Sequence, residues 1–311
     1  MIANLVSALI PSRKYRTQVR SILKFGLPKY IRLMRAEKNF KPANFLSICM
    51  IVKNEGAYLR EFIEYHKLVG VDKFYIYDNA STDDTKAVLA PYIKSGVVDY
   101  TWWPGDKMQL PANNDCLEKH RLDTKWLAFI DADEFLVPVD AGGGIAQFLK
   151  SLPKSVAQLH VAWANYGSSG HVQKPEGLVI ENFRRRADFS DTYMMGRNYK
   201  SIINPRFARG VRCHTASVAG QSVNENLETK NMKKNLFMPK NKIRINHYLT
   251  KSREEFDKRY AKGDAISGGK TYHGAEMNSQ NMDKTFKLRD LNDVYDYNME
   301  KYVAPLKAKL Q

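Results

Sequence analysis

The sequence predicts an α/β domain with a mostly parallel sheet flanked by helices, and three observations lead to this fold class. Short apolar runs of the length of a buried strand alternate with helix-like stretches. Polar residues follow three of the four apolar runs of the first half directly. The 311 residues are 43% hydrophobic and 11% aromatic, which allows a large core and excludes a disordered chain. Alternating strands and helices are typical of βαβ units, and thus of a Rossmann-like sheet.

The first half of the chain contains the clearest alternation. The predicted strands are Leu46–Val52, Lys73–Tyr77, Val97–Trp102 and Trp126–Ile130. The predicted helices are Ala57–Val69, a helix that starts around Asp84 and is capped by Ser81 or Thr82, and Asn113–Leu122. Ligands of parallel sheets bind beyond the carboxyl ends of the strands. The polar residues at those ends therefore predict a site on one edge of the sheet.

The pattern changes after the glycine run at residues 142–144, and the second half is predicted to extend the same domain. Its predicted strands are Gln158–Ala164, Leu178–Phe183, Ser201–Ile203 and Lys242–Tyr248, and its predicted helices are Arg253–Lys262 and the end of the chain from about Lys284. The domain organisation predicted from these patterns is a basic N-terminal arm (1–42), the main domain (43–262) and a helical tail (263–311).

The chain is strongly basic, with a formal net charge of +16 and a pI of about 9.6. This balance favours polyanionic partners such as anionic lipid headgroups, phosphorylated substrates or nucleic acid. The arm mixes Lys and Arg with apolar residues, so it forms either a surface for anionic membrane or a segment packed on the protein itself. Three widely spaced cysteines, Cys49, Cys116 and Cys213, do not make a disulfide framework and are expected to be buried thiols.

The strongest chemical signal is the segment Asp131-Ala132-Asp133, directly after an apolar strand. Two carboxylates this close are costly unless a cation or several hydrogen-bond donors compensate them. Their hard oxygen ligands suit Mg²⁺ or Mn²⁺, which often share remaining coordination positions with substrate phosphates. The alternative is an acidic turn or helix cap, but the position at the end of a parallel-type strand favours a metal site.

Two further signals are weaker taken alone. His247 follows an apolar-alternating stretch, and a neutral imidazole can complete the coordination of Mn²⁺, although a core histidine satisfied by hydrogen bonds is the alternative. Lys251 lies four residues further on, and Lys200 precedes another apolar strand. Either lysine could neutralise the charge on a departing diphosphate.

Several blocks taken together resemble the family 2-related and family 92 glycosyltransferases. The matching blocks are Leu46–Glu55, Phe74–Thr85, Asn114–Cys116, Trp126–Pro138, Lys200–Pro205 and Ile245–Phe256. The resemblance runs from about Leu46 to Lys262. It implies a GT-A fold with an acceptor-side extension, a nucleotide-diphosphate sugar as donor, with a UDP-sugar as its expected form, and a divalent metal, with inversion of the anomeric centre.

The resemblance also implies roles for individual residues. Glu55 and Asp78 are similar to the residues that hold uridine, and Asn114 lies in a block that matches the nucleotide-sugar-binding region. Asp131 resembles the contact to ribose and to metal-bound water, Asp133 a direct metal ligand and His247 the C-terminal metal ligand. Lys251 resembles a diphosphate contact, and Lys200 joins it as a predicted contact to the nucleotide sugar.

The chain departs from the simpler family 2 pattern at the catalytic base, because no acidic pair stands in the second half. Asp191 and Glu276 are the principal candidates for this base, and Asp188, Glu181 and His171 are further ones.

The sequence leaves three alternatives to a glycosyltransferase. A nucleotidyltransferase that makes a nucleotide sugar would use the same metal chemistry, and a basic nucleic-acid-binding protein would account for the charge, although the basic residues form no recognised motif. A dinucleotide oxidoreductase is disfavoured because no Gly-rich turn follows the first strand. The acceptor is expected to be a glycan or a lipid-linked precursor of a surface polysaccharide or lipopolysaccharide. The expected location is the cytoplasm or the inner face of the membrane.

Overall fold

The structure is a computed structural model of the chain. It describes residues 10–12, 15–16, 18–19, 22–23, 26–140, 143–189, 199–229, 238–262, 271–272, 275–276 and 279–311. Its elements are α1 (Leu27–Lys38), β1 (Asn44–Val52), α2 (Gly56–Leu68), β2 (Lys73–Asp78), α3 (Thr85–Lys94), β3 (Val98–Trp102), α4 (Gln109–His120), β4 (Thr124–Phe129), β5 (Glu134–Pro138), α5 (Ile145–Ser151), β6 (Val156–Asn165), α6 (Val179–Asn182), β7 (Arg185–Arg186), β8 (Tyr199–Ile203), β9 (Ala208–Val211), β10 (Ala216–Val218), β11 (Gln221–Val223), β12 (Ile243–His247), α7 (Arg253–Lys262), β13 (Thr271–Tyr272), β14 (Ala275–Glu276), α8 (Ser279–Arg289), β15 (Val294–Tyr295) and α9 (Glu300–Leu310).

The main sheet confirms the predicted α/β class. Its strand order is β3-β2-β1-β4-β8-β6-β12-β5, with β11 paired to β6. The pairs among β3, β2, β1 and β4 are parallel, as are those of β6 with β11 and β12. Strand β8 runs antiparallel between β4 and β6, and β5 runs antiparallel to β12. The sheet is therefore mostly parallel, and β8 brings its first residues to the edge where the parallel strands end.

The hydrophobic core lies on both faces of the first four strands. Central β1 buries Leu46, Ile48 and Met50 completely or nearly so, and Phe62 of α2 packs against the same cluster. A strand buried on both faces must be apolar at consecutive positions rather than at alternate ones. This explains why the continuous apolar runs of the first half predicted these strands to within two residues at each end.

Two predictions about local structure were wrong. The segment predicted as the strand Leu178–Phe183 is the single-turn helix α6, because the Glu61 carboxylate accepts the N–H groups of Val179 and Ile180 at 2.8 and 3.0 Å. A carboxylate can satisfy the first donors of a helix in this way. Helix α3 begins at Thr85 without a side-chain cap from Ser81 or Thr82.

Some features fell outside the predicted elements. Strand β5 was missed because its residues were interpreted as part of the acidic motif. Strands β7, β9, β10, β11 and β15 were not predicted, and the helical end of the chain is divided into α8 and α9. Cys49 and Cys116 are buried as expected, whereas Cys213 is partly exposed, and no disulfide joins these three cysteines.

The division into arm, main domain and tail stays a prediction. Helix α9 packs on α2: the Arg60 guanidinium donates to the Leu310 carbonyl at 2.9 Å, and the rings of Tyr65 and Tyr302 lie 5.2 Å apart. None of the helices in the described part of the chain has the length and apolar character that a membrane crossing requires.

Candidate active site

The site lies at the sheet edge where β1, β2, β4 and β12 end. The loops after β1 and β2 interlock there: Asn54 N–H donates to Ser81 Oγ at 2.9 Å, and Thr82 N–H donates to Asn54 Oδ1 at 2.7 Å. Asn54 and Ala80 both have left-handed backbone, with φ of 54° and 57°. Such conformations cost about 1 kcal/mol or more for residues other than glycine, so the surrounding bonds must hold these loops in shape.

Strand pairing explains how Asp133 meets His247. Antiparallel β5 and β12 place His247 opposite Glu134, the residue after Asp133, and Tyr248 N–H donates to the Asp133 carbonyl at 2.9 Å. The Asp133 Oδ2 atom and the His247 Nε2 atom are consequently 3.5 Å apart. Both side chains are buried, with 6% and 5% of their surface exposed. The prediction that these two residues come together is therefore matched by the geometry.

The charges around Asp133 favour an anionic carboxylate and a neutral imidazole. Burial alone would raise the pKa of Asp133, but the Arg259 guanidinium, which contacts Oδ2, and His247 hold it well below the ordinary value. Burial lowers the pKa of His247, and Asp133 offsets only part of that shift. The Nδ1 atom of His247 has no hydrogen-bond partner among the described residues, and the Trp163 ring lies 4.2 Å from the imidazole.

A second charged cluster surrounds Asp131. Lys200, the second residue of β8, donates to Asp131 Oδ2 at 2.7 Å and lies 3.5 Å from Glu134 Oε2. Gln109 donates to the other Asp131 oxygen at 3.3 Å. Burial raises the pKa of Glu134 well above its ordinary value, since Lys200 compensates it only in part. Asp131 and Asp133 thus face different partners, although a single residue separates them.

Lys251 is a third charged residue of the site, and it lies between α2 and α7. Its ammonium lies 3.3 Å from the centroid of the Tyr58 ring, and its side chain is buried. Burial lowers the pKa of Lys251, and the carboxylates of Glu55, Asp133 and Glu255 act in the opposite direction. Among the described residues, no acceptor forms a hydrogen bond with this ammonium.

The donor set is chemically suited to Mn²⁺ or Mg²⁺. A carboxylate and a neutral imidazole are ligands that Mn²⁺ accepts, and His247 presents Nε2 towards Asp133. Within the described ranges, no three acidic, histidine or cysteine side chains are grouped as a complete metal site. Lys200 binds Asp131, and Arg259 binds Asp133, so a cation there would replace the charge of one of these side chains.

Other predicted contacts to the nucleotide sugar have partners within the protein. Asp78 is buried and accepts from Ser81 N–H and Tyr100 O–H, both at 2.8 Å. The Asn114 side chain binds both backbone groups of Val211, accepting at 2.9 Å and donating at 3.0 Å, and so fastens α4 to β9. Glu55 is the residue before α2 and lies within electrostatic range of Lys251.

The candidate bases are not brought together by the described structure. Asp191 lies outside the described residues, and Glu276 is placed in β14 by its backbone only. Glu181 pairs with Lys307 of α9 at 2.6 Å, and the His171 ring packs on Phe183 with a centroid distance of 5.6 Å. Asp188 N–H donates to Asp293 Oδ2 at 3.0 Å. Both principal candidates stay predictions.

Sequence reasoning missed four residues that the structure places in the site: Arg259, Glu134, Gln109 and Tyr58. Glu134 could have been found, because it extends the acidic motif by one residue. Arg259 lies in the predicted helix that begins soon after His247, one turn from Glu255. Among 49 Lys and Arg residues, no local feature distinguishes it. Gln109 and Tyr58 carry no sequence signal of this kind.

Comparison with known proteins gives one consistent family. The family model named Glycosyltransferase family 92 matches residues 45–286. Family 92 proteins from Ricinus communis and Oryza sativa subsp. japonica are each 30% identical to this chain, over 164 and 183 residues. These matches cover 51% and 58% of this chain but only 28% and 29% of the plant proteins. The chain thus corresponds to less than a third of the length of either relative.

A shorter match and two solved structures complete the comparison. The beta-1,4-galactosyltransferase galt-1 of Caenorhabditis elegans is 36% identical over 111 residues, which is 30% of this chain and 25% of that protein. S. aureus TarS 1-349 in complex with UDP is 14% identical, with a TM-score of 0.33 over 52% of this chain and 47% of that one. Glucosyl-3-phosphoglycerate synthase from Mycobacterium tuberculosis, with Mn²⁺, UDP and glucosyl-3-phosphoglycerate, is 20% identical, with a TM-score of 0.25 over 42% and 47%. Structural similarity this low says nothing about the site.

Proposed function

Because this chain belongs to glycosyltransferase family 92, we propose that it is a glycosyltransferase that moves a hexose from a UDP-sugar to a glycan or lipid-linked acceptor. We propose further that the reaction depends on Mn²⁺ or Mg²⁺ and inverts the anomeric centre. One observation carries the metal and donor parts of the proposal. The buried carboxylate of Asp133 approaches the His247 imidazole to 3.5 Å at the carboxyl edge of the sheet. That edge is where α/β domains bind their ligands.

The residues of the site divide the chemistry among them. Asp133 and His247, with Asp131 beside them, would hold the divalent ion, which supplies Lewis-acid stabilisation to a departing diphosphate. Lys251 offers a buried cation to the same phosphates, in a region where electrostatic contacts are stronger than in water. The acceptor hydroxyl attacks the anomeric carbon from the face opposite the diphosphate. A carboxylate, with Asp191 and Glu276 as its candidates, removes the proton of that hydroxyl.

The galactosyltransferase among the relatives makes UDP-galactose the first donor to test, with UDP-glucose next. The assay is a panel of nucleotide sugars incubated with the protein and Mn²⁺, with release of UDP as the signal, since hydrolysis requires no acceptor. We expect one UDP-hexose to be hydrolysed faster than the rest, and excess chelator to abolish the reaction. Turnover that survives the chelator would contradict metal dependence, and no turnover of any UDP-sugar would contradict the choice of donor.

The same assay separates the alternatives raised by the sequence. A nucleotidyltransferase would release pyrophosphate from a nucleoside triphosphate and a sugar phosphate, whereas we expect UDP from a nucleotide sugar. A nucleic-acid-binding protein would bind DNA or RNA with a steep dependence on salt concentration. Membership of family 92 favours neither alternative. Release of UDP, release of pyrophosphate or the absence of a nucleotide product distinguishes the glycosyltransferase, the nucleotidyltransferase and the nucleic-acid-binding protein.

The N-terminal arm supports a membrane-proximal acceptor. In α1, Leu27 and Ile31 lie one turn apart and are 52% and 39% exposed, and Leu23 before the helix is 47% exposed. The first turn of α1 contains no acidic residue, and its last turn contains Arg35 and Lys38. An exposed apolar stripe beside basic side chains suits the surface of an anionic bilayer. We therefore propose that the enzyme acts at the inner face of the membrane.

Point variants test this placement better than removal of the arm. Glu37 of α1 is buried and pairs with Lys125 and Arg206 of the main domain, so deletion of residues 1–42 would remove a carboxylate that both of these cations contact. The combined Leu27→Glu and Ile31→Glu variant is expected to lose sedimentation with vesicles that contain phosphatidylglycerol. Leu122→Glu, at another residue with 64% exposure, is the matched control. Equal sedimentation of both variants would contradict the proposal.

A further inference from the structure

Two buried lysines lie in the site, and the structure compensates their charges differently. The Lys200 ammonium donates to Asp131 at 2.7 Å and lies 3.5 Å from a Glu134 oxygen. The Lys251 ammonium instead lies 3.3 Å from the centroid of the Tyr58 ring, and no described acceptor binds it. Lys200 is therefore neutralised by carboxylates within the protein, whereas the hydrogen-bond donors of Lys251 stay available.

The Tyr58 ring is held in place by the start of α7. Its hydroxyl donates to Glu255 Oε1 at 2.5 Å, and the other Glu255 oxygen accepts from Ser252 Oγ at 2.6 Å and Ser252 N–H at 3.2 Å. Glu255 N–H donates back to Ser252 Oγ at 3.2 Å. This reciprocal pair is a capping box at the helix N-terminus. Lys251 directly precedes Ser252, so the same cap fixes the ring and the backbone that carries the lysine.

The backbone of Lys251 is itself unusual. Its φ is +51°, a left-handed conformation that residues with a side chain rarely adopt. Non-glycine residues held in this region are concentrated at functional sites, where the surrounding structure imposes the conformation. Here the conformation accompanies an ammonium directed at the ring of Tyr58.

The Tyr58 ring holds the Lys251 ammonium without forming an ion pair, which a carboxylate could not do. An aromatic face attracts an ammonium through its quadrupole but accepts none of its three N–H donors in a strong hydrogen bond. Glu55, Asp133 and Glu255 all exert an electrostatic pull on Lys251, and a direct ion pair with any of them would consume the charge. Held by the ring, the ammonium keeps its donors for an anionic ligand.

We propose that Tyr58 is a positioning residue that holds Lys251 unpaired, so that the lysine can bind the diphosphate of the nucleotide-sugar donor. This inference rests on the proposed function. Tyr58 itself lies in the first turn of α2, three residues after Glu55, the predicted nucleotide contact. A second lysine, Lys174, lies 4.9 Å from the same ring, but its residue is exposed on the surface.

The experiment compares Tyr58→Leu with Tyr58→Phe. Leucine removes the aromatic face, whereas phenylalanine keeps the face and loses only the hydrogen bond to Glu255. With the best UDP-sugar of the panel, we expect Tyr58→Leu to raise KM, and the Kd of UDP in the presence of Mn²⁺, about tenfold, the value of a desolvated cation–π contact. A smaller change is expected in kcat. Tyr58→Phe should stay within about threefold of the wild type in both constants.

Two further variants show whether the ring acts through the lysine. Lys251→Met is expected to raise KM at least as much as Tyr58→Leu, and the double variant should be no worse than Lys251→Met, because the ring acts only through the lysine. Lys174→Met, at the exposed lysine on the same ring, is the matched control and should leave KM unchanged. If Tyr58→Leu does not fold, Tyr58→Gln replaces it, since glutamine lacks the ring but can still donate to Glu255.

The outcomes separate this inference from the proposed function. If the wild type binds no UDP in the presence of Mn²⁺, the proposed function fails. If the wild type binds UDP but Tyr58→Leu leaves KM and Kd unchanged, only the role of Tyr58 is wrong. Additive losses in the double variant, or an equal loss in Tyr58→Phe, would also overturn it, because Tyr58 would then act through the fold.

Discussion

The two halves of the sheet contribute mainly opposite charges to the site, although the mixed half also contains the acidic Glu134 at the start of β5. The parallel half, β1 to β4 with the loops that follow these strands, supplies Glu55, Asp131 and Asp133. The mixed half supplies cations and the imidazole, from β8, from β12 and from the segment that leads into α7; these residues are Lys200, His247, Lys251 and Arg259. An acidic cluster at a sheet edge is costly by itself. The parallel half therefore supplies most of the acidic edge, and the mixed half compensates its charge.

The compensation is uneven, and this difference separates stability from function. Lys200 is bonded to a carboxylate, whereas the ammonium of Lys251 faces the ring of Tyr58, as the proposed role in binding the diphosphate requires. Asp133 is an intermediate case, because its carboxylate is buried but the side chain of its partner Arg259 is 34% exposed. Substitutions in the parallel half and in the mixed half of the sheet should therefore have different effects.

The largest effect is expected on the acidic side. Asp133→Asn should lower UDP-sugar hydrolysis by about 10²–10³-fold, because it removes a carboxylate that would hold the divalent ion, and that ion would stabilise the charge on the departing diphosphate. Circular dichroism should show a folded protein. Asp123→Asn, at a half-exposed carboxylate on the opposite end of β4, is the control and should keep full activity. Comparable activity in both variants would remove Asp133 from the reaction.

The next effect concerns stability and distinguishes the two lysines. Lys200→Met removes the cation that is bonded to the partly exposed Asp131 and lies beside the buried Glu134, so the free energy of unfolding should fall by about 2–3 kcal/mol. Lys251→Met breaks no ion pair and should cost about 1 kcal/mol, the range of a cation–π contact. Urea denaturation measures both. Equal losses in the two variants would show that Lys200 and Lys251 contribute alike to stability.

A smaller effect is the pH dependence that arises from buried histidines of the main domain. His66 Nδ1 faces the Phe62 carbonyl at 2.8 Å and Nε2 accepts Leu136 N–H at 3.1 Å, and burial lowers its pKa to about 3. Burial also lowers the pKa of His160 to about 4. Their neutral forms are the folded ones, so their contribution is fully present above the unfolded value of about 6.5 and is lost as the pH falls towards 3.

The slope of stability against pH measures this effect. Each histidine should contribute about 1.4 kcal/mol per pH unit between pH 6 and its folded pKa. Replacing His66 with glutamine removes one titrating group, and the slope between pH 6 and pH 4 should fall by that amount. An unchanged slope in His66→Gln would show that the acid sensitivity comes from another group.

The smallest expected effect concerns Arg259, which pairs with Asp133 from the mixed half. Arg259→Leu removes the competing charge, so the affinity for Mn²⁺ should rise about tenfold, the value of one charge-assisted hydrogen bond. Arg253→Leu removes a guanidinium of the same helix that pairs with Asp257 and Asp283, and it should leave the affinity unchanged. Weaker Mn²⁺ binding in Arg259→Leu would mean that this arginine supports the ligands.

The sequence predicted the parallel half better than the mixed half, for physical reasons. Strands buried on both faces must be apolar throughout, so β1, β2 and β4 were evident from composition alone. Helix α7 was predicted with its observed bounds. Strand β5 was missed because its first residue belongs to the acidic motif, and α6 because a distant carboxylate, Glu61, decides its conformation.

The candidate site shows the same division. The joint placement of Asp133 and His247 was predicted from a family resemblance, while the sheet register of β5 and β12 supplies its cause. The partners of Lys200 and Lys251 could not be predicted, since residue type does not reveal whether a lysine will meet a carboxylate or a ring. Asn114 was predicted to contact the nucleotide sugar, and the structure shows that its side chain binds the backbone of Val211 in β9.

The most direct test of the account is the binding of Mn²⁺ in the presence of UDP, followed by isothermal titration calorimetry. The account predicts one site in the wild-type protein and loss of that site in both Asp133→Asn and His247→Ala, with the fold retained. Mn²⁺ binding of equal affinity in all three proteins would contradict a metal centre shared by the two halves of the sheet.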